Sequence, residues 1–171
     1  MTLLETRRQN RTIQYLKDHS PSKRILDLGV ESQMSNRMIL EGYQVTNTPL
    51  GLDLDTDFHR IDFDRWPVVT AFEIFEHLFS PFNILGHIPS GKILIATVPI
   101  NVWFSPPHWS NSDRLDCHYH EFYPKQFDHL LRRTGWEKIH SEEWTISGLH
   151  GIRPMLRLFH PSYYAVVAIK P

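Results

Sequence analysis

Cysteine is almost absent from this chain: Cys117 stands alone among 171 residues. That excludes an internal disulfide and fits a reducing, cytoplasmic setting. Charge of one sign is lacking as well. Eighteen Lys plus Arg stand against 19 Asp plus Glu, so a formal net charge of −1 gives no global field toward nucleic acid or an anionic membrane. No hydrophobic run approaches a membrane span, and the opening MTLLETRRQNRTIQYL carries charges where a signal peptide needs an uninterrupted apolar core. Repeats, low-complexity tracts and linker-like shifts of composition are missing too, so residues 1–171 read as one domain. What is present, 41% hydrophobic and 22% charged residues, is enough to bury a core and too apolar for a disordered chain.

The patterning alternates between two periods. Residues 3–18 read as an amphipathic helix ended before Ser20 and Pro21, and Arg24 to Gly29 as a buried strand closed by a turn glycine. A helix over 33–41, stopping at Gly42, precedes an extended stretch from Tyr43 to Thr46. An Asp-rich segment follows, with a short strand expected at 58–63. Buried strands are expected at 68–74 and 92–98, with a short helix over 76–85 interrupted by Pro81. Residues 100–121 show no periodicity and read as a binding loop or lid. A helix over 125–134 and strands over 136–146 and 163–169 complete an α/β sandwich with a mostly parallel sheet.

In such sheets ligands bind outside the carboxyl ends of the strands. The residues there are Asp27 to Gln33, Asp53 to Asp62, Glu73 to His77 and those after Val98. The order ILDLG, WPVVTAFEIFEHL, KILIATVP and HYHEFYPKQFDHLLRRTGWEKI resembles the class I S-adenosylmethionine-dependent methyltransferases, over residues 23–170. The resemblance implies a Rossmann-like three-layer sandwich whose mostly parallel seven-strand sheet ends in an antiparallel strand. It also implies methyl transfer from S-adenosylmethionine to a small molecule or modified polymer.

Carried onto this chain, the resemblance makes Asp27, Gly29 and Glu31 the turn facing the cofactor's methionine portion, with Asp53 a candidate for the ribose. It places Asp62 and Phe63 at the adenine, Glu73 beside the cofactor, and His77 or His118 as the base. Glu73, Glu76, His77 and His118 further resemble the divalent-metal set of small-RNA 3′-terminal 2′-O-methyltransferases, His118 lying nine residues before Phe127 as in those enzymes. Two carboxylates and two imidazoles would hold an ion that lowers the pKa of a hydroxyl. The same residues have plainer readings: Asp27 and Gly29 as turn formers, Asp53, Asp55 and Asp57 as a solvated acidic loop, His77 as a wall.

Two departures stand out. Val30-Glu31-Ser32-Gln33 follows Gly29 where the family continues with glycine, and Asn47-Thr48-Pro49 stands where it has an acid. They make a rival of a catalytically inactive member that binds a protein partner through the aromatics of residues 100–123: Trp103, Phe104, Trp109, Tyr119, Phe122 and Tyr123. The group His108, Cys117, His118 and His120 also admits a structural-zinc reading, or hydrolysis at a bound metal.

Overall fold

The computed structural model describes residues 2–101, 109, 116–146 and 160–171. Its strands are β1 (Arg24–Asp27), β2 (Gln44–Asn47), β3 (Val68–Phe72), β4 (Ile93–Pro99), β5 (Glu137–Trp144) and β6 (Tyr163–Ile169). They form one sheet in the order β2-β1-β3-β4-β6-β5. The pairs among β1 to β4 are parallel, and β6 runs antiparallel to both β4 and β5. The helices are α1 (Leu3–His19), α2 (Gln33–Leu40), α3 (Pro81–His87) and α4 (Pro124–Arg133).

Successive strand residues point to opposite faces, and here both faces are buried. Ile25, Val68, Ile95, Ala165 and Val167 pack with Ile13, Tyr15 and Leu16 of α1 and Met38 of α2. Their neighbours Leu26, Val69, Leu94, Ala96 and Val166 pack on the other face with Ile84, Leu85, Phe127 and Leu131 of α3 and α4. Continuous apolar runs such as VVTAF and YYAVVAI are what a sheet covered on both sides requires. Local chemistry sets the helix starts. Thr2 and Glu5 cap α1 reciprocally, Ser32 and Ser35 cap α2, and Pro124 occupies the first turn of α4.

The sheet has six strands among the described residues, one fewer than the seven expected. Phe58–Arg60 is a 3₁₀ turn, and the expected strand at 58–63 is absent. Within it the Arg60 amide bonds the Asp57 carbonyl at 2.9 Å and the Ile61 amide the Phe58 carbonyl at 3.2 Å, so these donors close a turn rather than a ladder, and aspartates brace the chain on either side. Asp53 accepts from the Asp55 amide at 2.8 Å, Asp57 from the Asp53 amide at 3.3 Å, and Asp62 from the Asp64 amide at 3.1 Å. Asp55 instead accepts from the Phe79 and Ser80 amides at 2.8 and 2.7 Å, pinning the loop to the start of α3. Pro81 likewise begins α3 rather than interrupting a helix, and Phe75–His77 forms a separate 3₁₀ turn.

From β1 the chain winds outward to β2 and then returns across β1 to β3. The crevice beyond the ends of β1 and β3 is therefore the topological switch point. Gly29 turns the chain there with φ +105°, a region closed to side chains, and an added Cβ would lie 2.9 Å from Ile74 Cδ1. Gly29→Ala should destabilise the fold by about 1–3 kcal/mol. Because the Ile74 end can shift, Ile74→Val added to it should recover little; chemical denaturation of both variants checks this, and full recovery would mean contact rather than φ sets the cost.

Candidate active site

The crevice at the switch point is a cavity of about 770 Å³, within the span of small-molecule sites. Its floor is the ends of β1, β3 and β4, and its wall is the first half of α1, through Leu4, Glu5, Arg8 and Gln9. The lining carboxyl groups are Glu5, Asp27, Glu73, Glu76, Asp116 and Glu121, and Arg8 is the one Lys or Arg that lines it among the described residues.

Asp27 is buried and knits three strands together. Thr70 Oγ1 of β3 donates to Asp27 Oδ1 at 2.6 Å, and Asn47 Nδ2 of β2 donates to Asp27 Oδ2 at 3.1 Å. Burial pushes its carboxyl up to about 7, with the bonds from Thr70 and Asn47 pulling the other way. The Gly29 amide donates to Thr48 Oγ1 at 2.8 Å, and the Thr48 amide returns to the Gly29 carbonyl at 3.1 Å. Asn47 also reaches the carbonyls of Gly29 and Val30 at 3.3 and 3.4 Å. The end of β2 thus carries an amide committed to the β1 turn where the family pattern has an acid.

Glu73, the first residue after β3, has φ +57°, a conformation rare outside glycine. Its amide bonds the Thr97 carbonyl of β4 at 3.0 Å, Thr97 Oγ1 donates to Oε1 at 2.8 Å, and Arg8 Nη1 donates to Oε2 at 3.1 Å. Burial raises the Glu73 carboxyl, against the pull of Arg8 and Thr97. Burial works against the Arg8 charge, but Glu73 and Tyr163 more than restore it, so the guanidinium stays protonated.

Glu76 lies on the following 3₁₀ turn and is fully buried. Neither carboxylate oxygen has a hydrogen-bond partner among the described residues. Burial first, and the nearby Glu73 charge second, hold its carboxyl well above the ordinary range. His77 Nδ1 lies 3.0 Å from the Cys117 carbonyl, which can only accept, so Nδ1 carries the proton in the neutral ring. Nε2 is then the basic nitrogen, 3.9 Å from Glu76 Oε1. The His118 ring stands edge-on to His77 at 4.8 Å between centroids. Ligand atoms of Glu76, His77 and His118 all lie within 4.8 Å of one another. Glu73 is outside that set, held by Arg8 and Thr97.

Other expected residues lie elsewhere. Glu31 and Asp53 are exposed and do not line the cavity. Asp62 is exposed and paired with Arg65 at 3.1 Å, and Phe63 is buried in the core, so neither reaches the cavity from its expected adenine position. Cys117, His118 and His120 are not gathered into one ligand set among the described residues: His120 Nε2 bonds the Phe79 carbonyl at 3.2 Å. His108, Trp103 and Phe104 lie outside the described residues. Trp109 and Tyr119 are arranged edge to face at 5.9 Å, and Tyr119 stacks on exposed Phe79 at 3.9 Å. Phe122 is buried and Tyr123 half exposed.

Arg8, Asn47, Thr97 and Tyr163 belong to the site and are not among the sequence-derived candidates. Asn47 had a local signal, since it stands at the expected acid's place; Arg8 had none, because the docking of α1 is not written in its own periodicity.

Asp27 makes a pH prediction. Its folded carboxyl titrates near 7 against an ordinary 3.8, so the folded state holds the proton more tightly and this contribution to stability is lost as pH rises between those values. The loss is up to about 4 kcal/mol at about 1.4 kcal/mol per unit. Denaturation of wild type and Asp27→Asn across that window should show the wild-type curve falling more steeply; parallel curves would remove Asp27 as the cause.

No protein-family model and no curated protein matches the sequence. Solved structures do match. One is the Burkholderia thailandensis 1,6-didemethyltoxoflavin-N1-methyltransferase with bound 1,6-didemethyltoxoflavin and S-adenosylhomocysteine, at 15% identity and TM-score 0.68, over 95% of this chain and 77% of that one. A Haloferax volcanii chain solved with the Trm112 methyltransferase activator matches at 12% and 0.65, over 97% and 91%. The [4+2]-cyclase SpnF matches at 15% and 0.60, over 95% and 81%. The six-strand order, the antiparallel β6 and the crevice at the switch point agree with these likenesses: this chain has the class I S-adenosylmethionine-dependent methyltransferase fold.

Proposed function

We propose that the chain binds S-adenosylmethionine in the crevice beyond β1 and β3 and transfers its methyl group to an acceptor held against Glu76, His77 and His118. The carrying observation is Glu76: a fully buried carboxylate without a partner among the described residues, facing a ligand-sized cavity beside two imidazoles. An unsatisfied buried carboxylate is costly, and such cost concentrates at functional sites.

The residues fit the cofactor at one end. Among the described lining residues, Arg8 is the group that would meet its carboxylate. At the end of β2, where the family has an acid, Asn47 is committed to Asp27 and the Gly29 turn and does not line the cavity. When bound, the cofactor supplies an activated methyl, so the protein has chiefly to align the acceptor and remove its proton. His77 Nε2 is the base. Its ring is oriented by the Cys117 carbonyl. The orphaned Glu76 oxygens also fit a divalent cation, which Glu76, His77 and His118 would hold and which would lower the pKa of an acceptor hydroxyl.

One observation favours the second reading, a non-catalytic partner-binding member: the Asn47 amide is spent on the β1 turn, while Phe79, Trp109 and Tyr123 expose aromatic surface nearby. Calorimetric titration with S-adenosylmethionine and S-adenosylhomocysteine, with and without Mg²⁺ or Mn²⁺, separates the two. Micromolar binding supports methyl transfer, with metal enhancement assigning Glu76 to an ion; no binding by folded protein supports the partner module.

Glu76→Gln should part stability from function. The raised carboxyl makes wild type lose stability as pH rises above the ordinary value of 4.5. The variant should therefore gain on the order of 1–3 kcal/mol at mildly alkaline pH, and nothing in acid, while losing methyl transfer and any metal response. Retained transfer would remove Glu76 from the chemistry.

A further inference from the structure

We propose that His19, His140 and Glu142, none of which lines the crevice, form a second site for a transition-metal dication of the zinc type. His19 ends α1, while His140 and Glu142 occupy alternate positions of β5 and so share one face of the strand, just after the irregularity between Lys138 and His140. Ligand atoms of the three all lie within 4.8 Å of one another. His140 Nε2 and Glu142 Oε1 are 3.3 Å apart, close to the separation of two donors on a tetrahedral ion with bonds of about 2.0–2.2 Å.

The set is held in place before any ion arrives. The His19 and His140 rings stack at 4.3 Å with 29° between their planes, and Tyr15 backs His19 at 4.5 Å. Glu142 turns Oε1 to His140 while its other oxygen accepts from Trp144 Nε1 at 3.0 Å and from the Arg11 guanidinium. Ligating carboxylates are commonly fixed in this way by an outer shell. All three ligands are half-buried, which admits a hydrated ion and leaves a coordination position to water. Two imidazoles and one carboxylate favour Zn²⁺, Ni²⁺ or Co²⁺ over Mg²⁺ or Ca²⁺. Such an ion would clip the last turn of α1 to the edge strand of the sheet.

The test uses the full chain, freed of metal with a chelator, in a His118→Ala background that removes a ligand from the crevice. Zn²⁺ titration should show one ion per chain and a raised melting temperature, and Co²⁺ should give the visible absorption of a tetrahedral centre. Adding His140→Ala or Glu142→Gln should weaken Zn²⁺ binding by at least roughly 10–100-fold, the cost of losing even an outer-shell partner, and abolish the thermal shift and the Co²⁺ bands. Circular dichroism and melting in chelator show whether each variant folds; Glu142→Gln keeps the shape of the side chain if His140→Ala does not. Unchanged stoichiometry and affinity in a folded variant, or no ion bound in the His118→Ala background, overturns the site.

Discussion

The carboxyl of Asp27 is the point on which the crevice depends. It takes one hydrogen bond from Thr70 and one from Asn47, so a single buried group joins the ends of β2, β1 and β3 where the winding reverses. A parallel sheet splits open at such a point because successive crossovers leave on opposite sides. The opening is useful only if the strand ends that flank it stay in register. Asp27 performs that task from the floor, and Thr48 braces the Gly29 turn above it through the two bonds described. The cofactor pattern's ribose acid and this brace compete for the same place, and in this chain Asn47 takes the brace.

Around that floor the molecule concentrates acid it does not neutralise. Glu73 has Arg8 and Thr97, but it holds a left-handed backbone to reach them. Glu76 has no such partner among the described residues. A core arranged for stability alone would place an apolar side chain at position 76, since neighbouring Phe75 and Leu78 are buried without cost. Strain and desolvation are gathered within a few residues of one strand end, the place at which the proposed methyl transfer would occur. SpnF, a cyclase on the same fold, shows that the fold alone does not decide which chemistry that is.

The elements were legible wherever a residue's fate depended on its neighbours in sequence. KILIATV and YYAVVAI read as strands because both their faces are apolar, and the antiparallel last strand followed from the order of motifs. The strand expected at 58–63 failed for a local reason of a different kind: the Arg60 and Ile61 amides close a tight turn on the Asp57 and Phe58 carbonyls, which hydrophobic pattern does not register. Within the site, Glu76, His77 and His118 came together as their spacing implied, because the strand end and the returning loop meet there. Phe63 and Asp62 did not reach the cavity, since with no strand in that segment Phe63 enters the core and Asp62 turns to Arg65. Arg8 was not read: its role depends on the rotation of a helix about its own axis and on a partner, Glu73, that lies 65 residues away in sequence.

That rotation is set by Ile13, Tyr15 and Leu16, which bury against the sheet and leave the polar residues of α1 no choice of direction. Arg8 then meets Glu73 after β3, Arg11 meets Glu142 on β5, and Lys17 meets Glu41 beyond α2. Pairs as exposed as Arg11–Glu142 and Lys17–Glu41 are worth about 0–1 kcal/mol each, so they trim the position of the helix rather than hold it. Arg8–Glu73 is different because burial has already stripped water from the carboxylate, and removing the guanidinium would leave that charge uncompensated. The apolar half of α1 therefore fixes the helix, and its amino-terminal half, freed from that duty, supplies the guanidinium that meets Glu73 in the crevice wall.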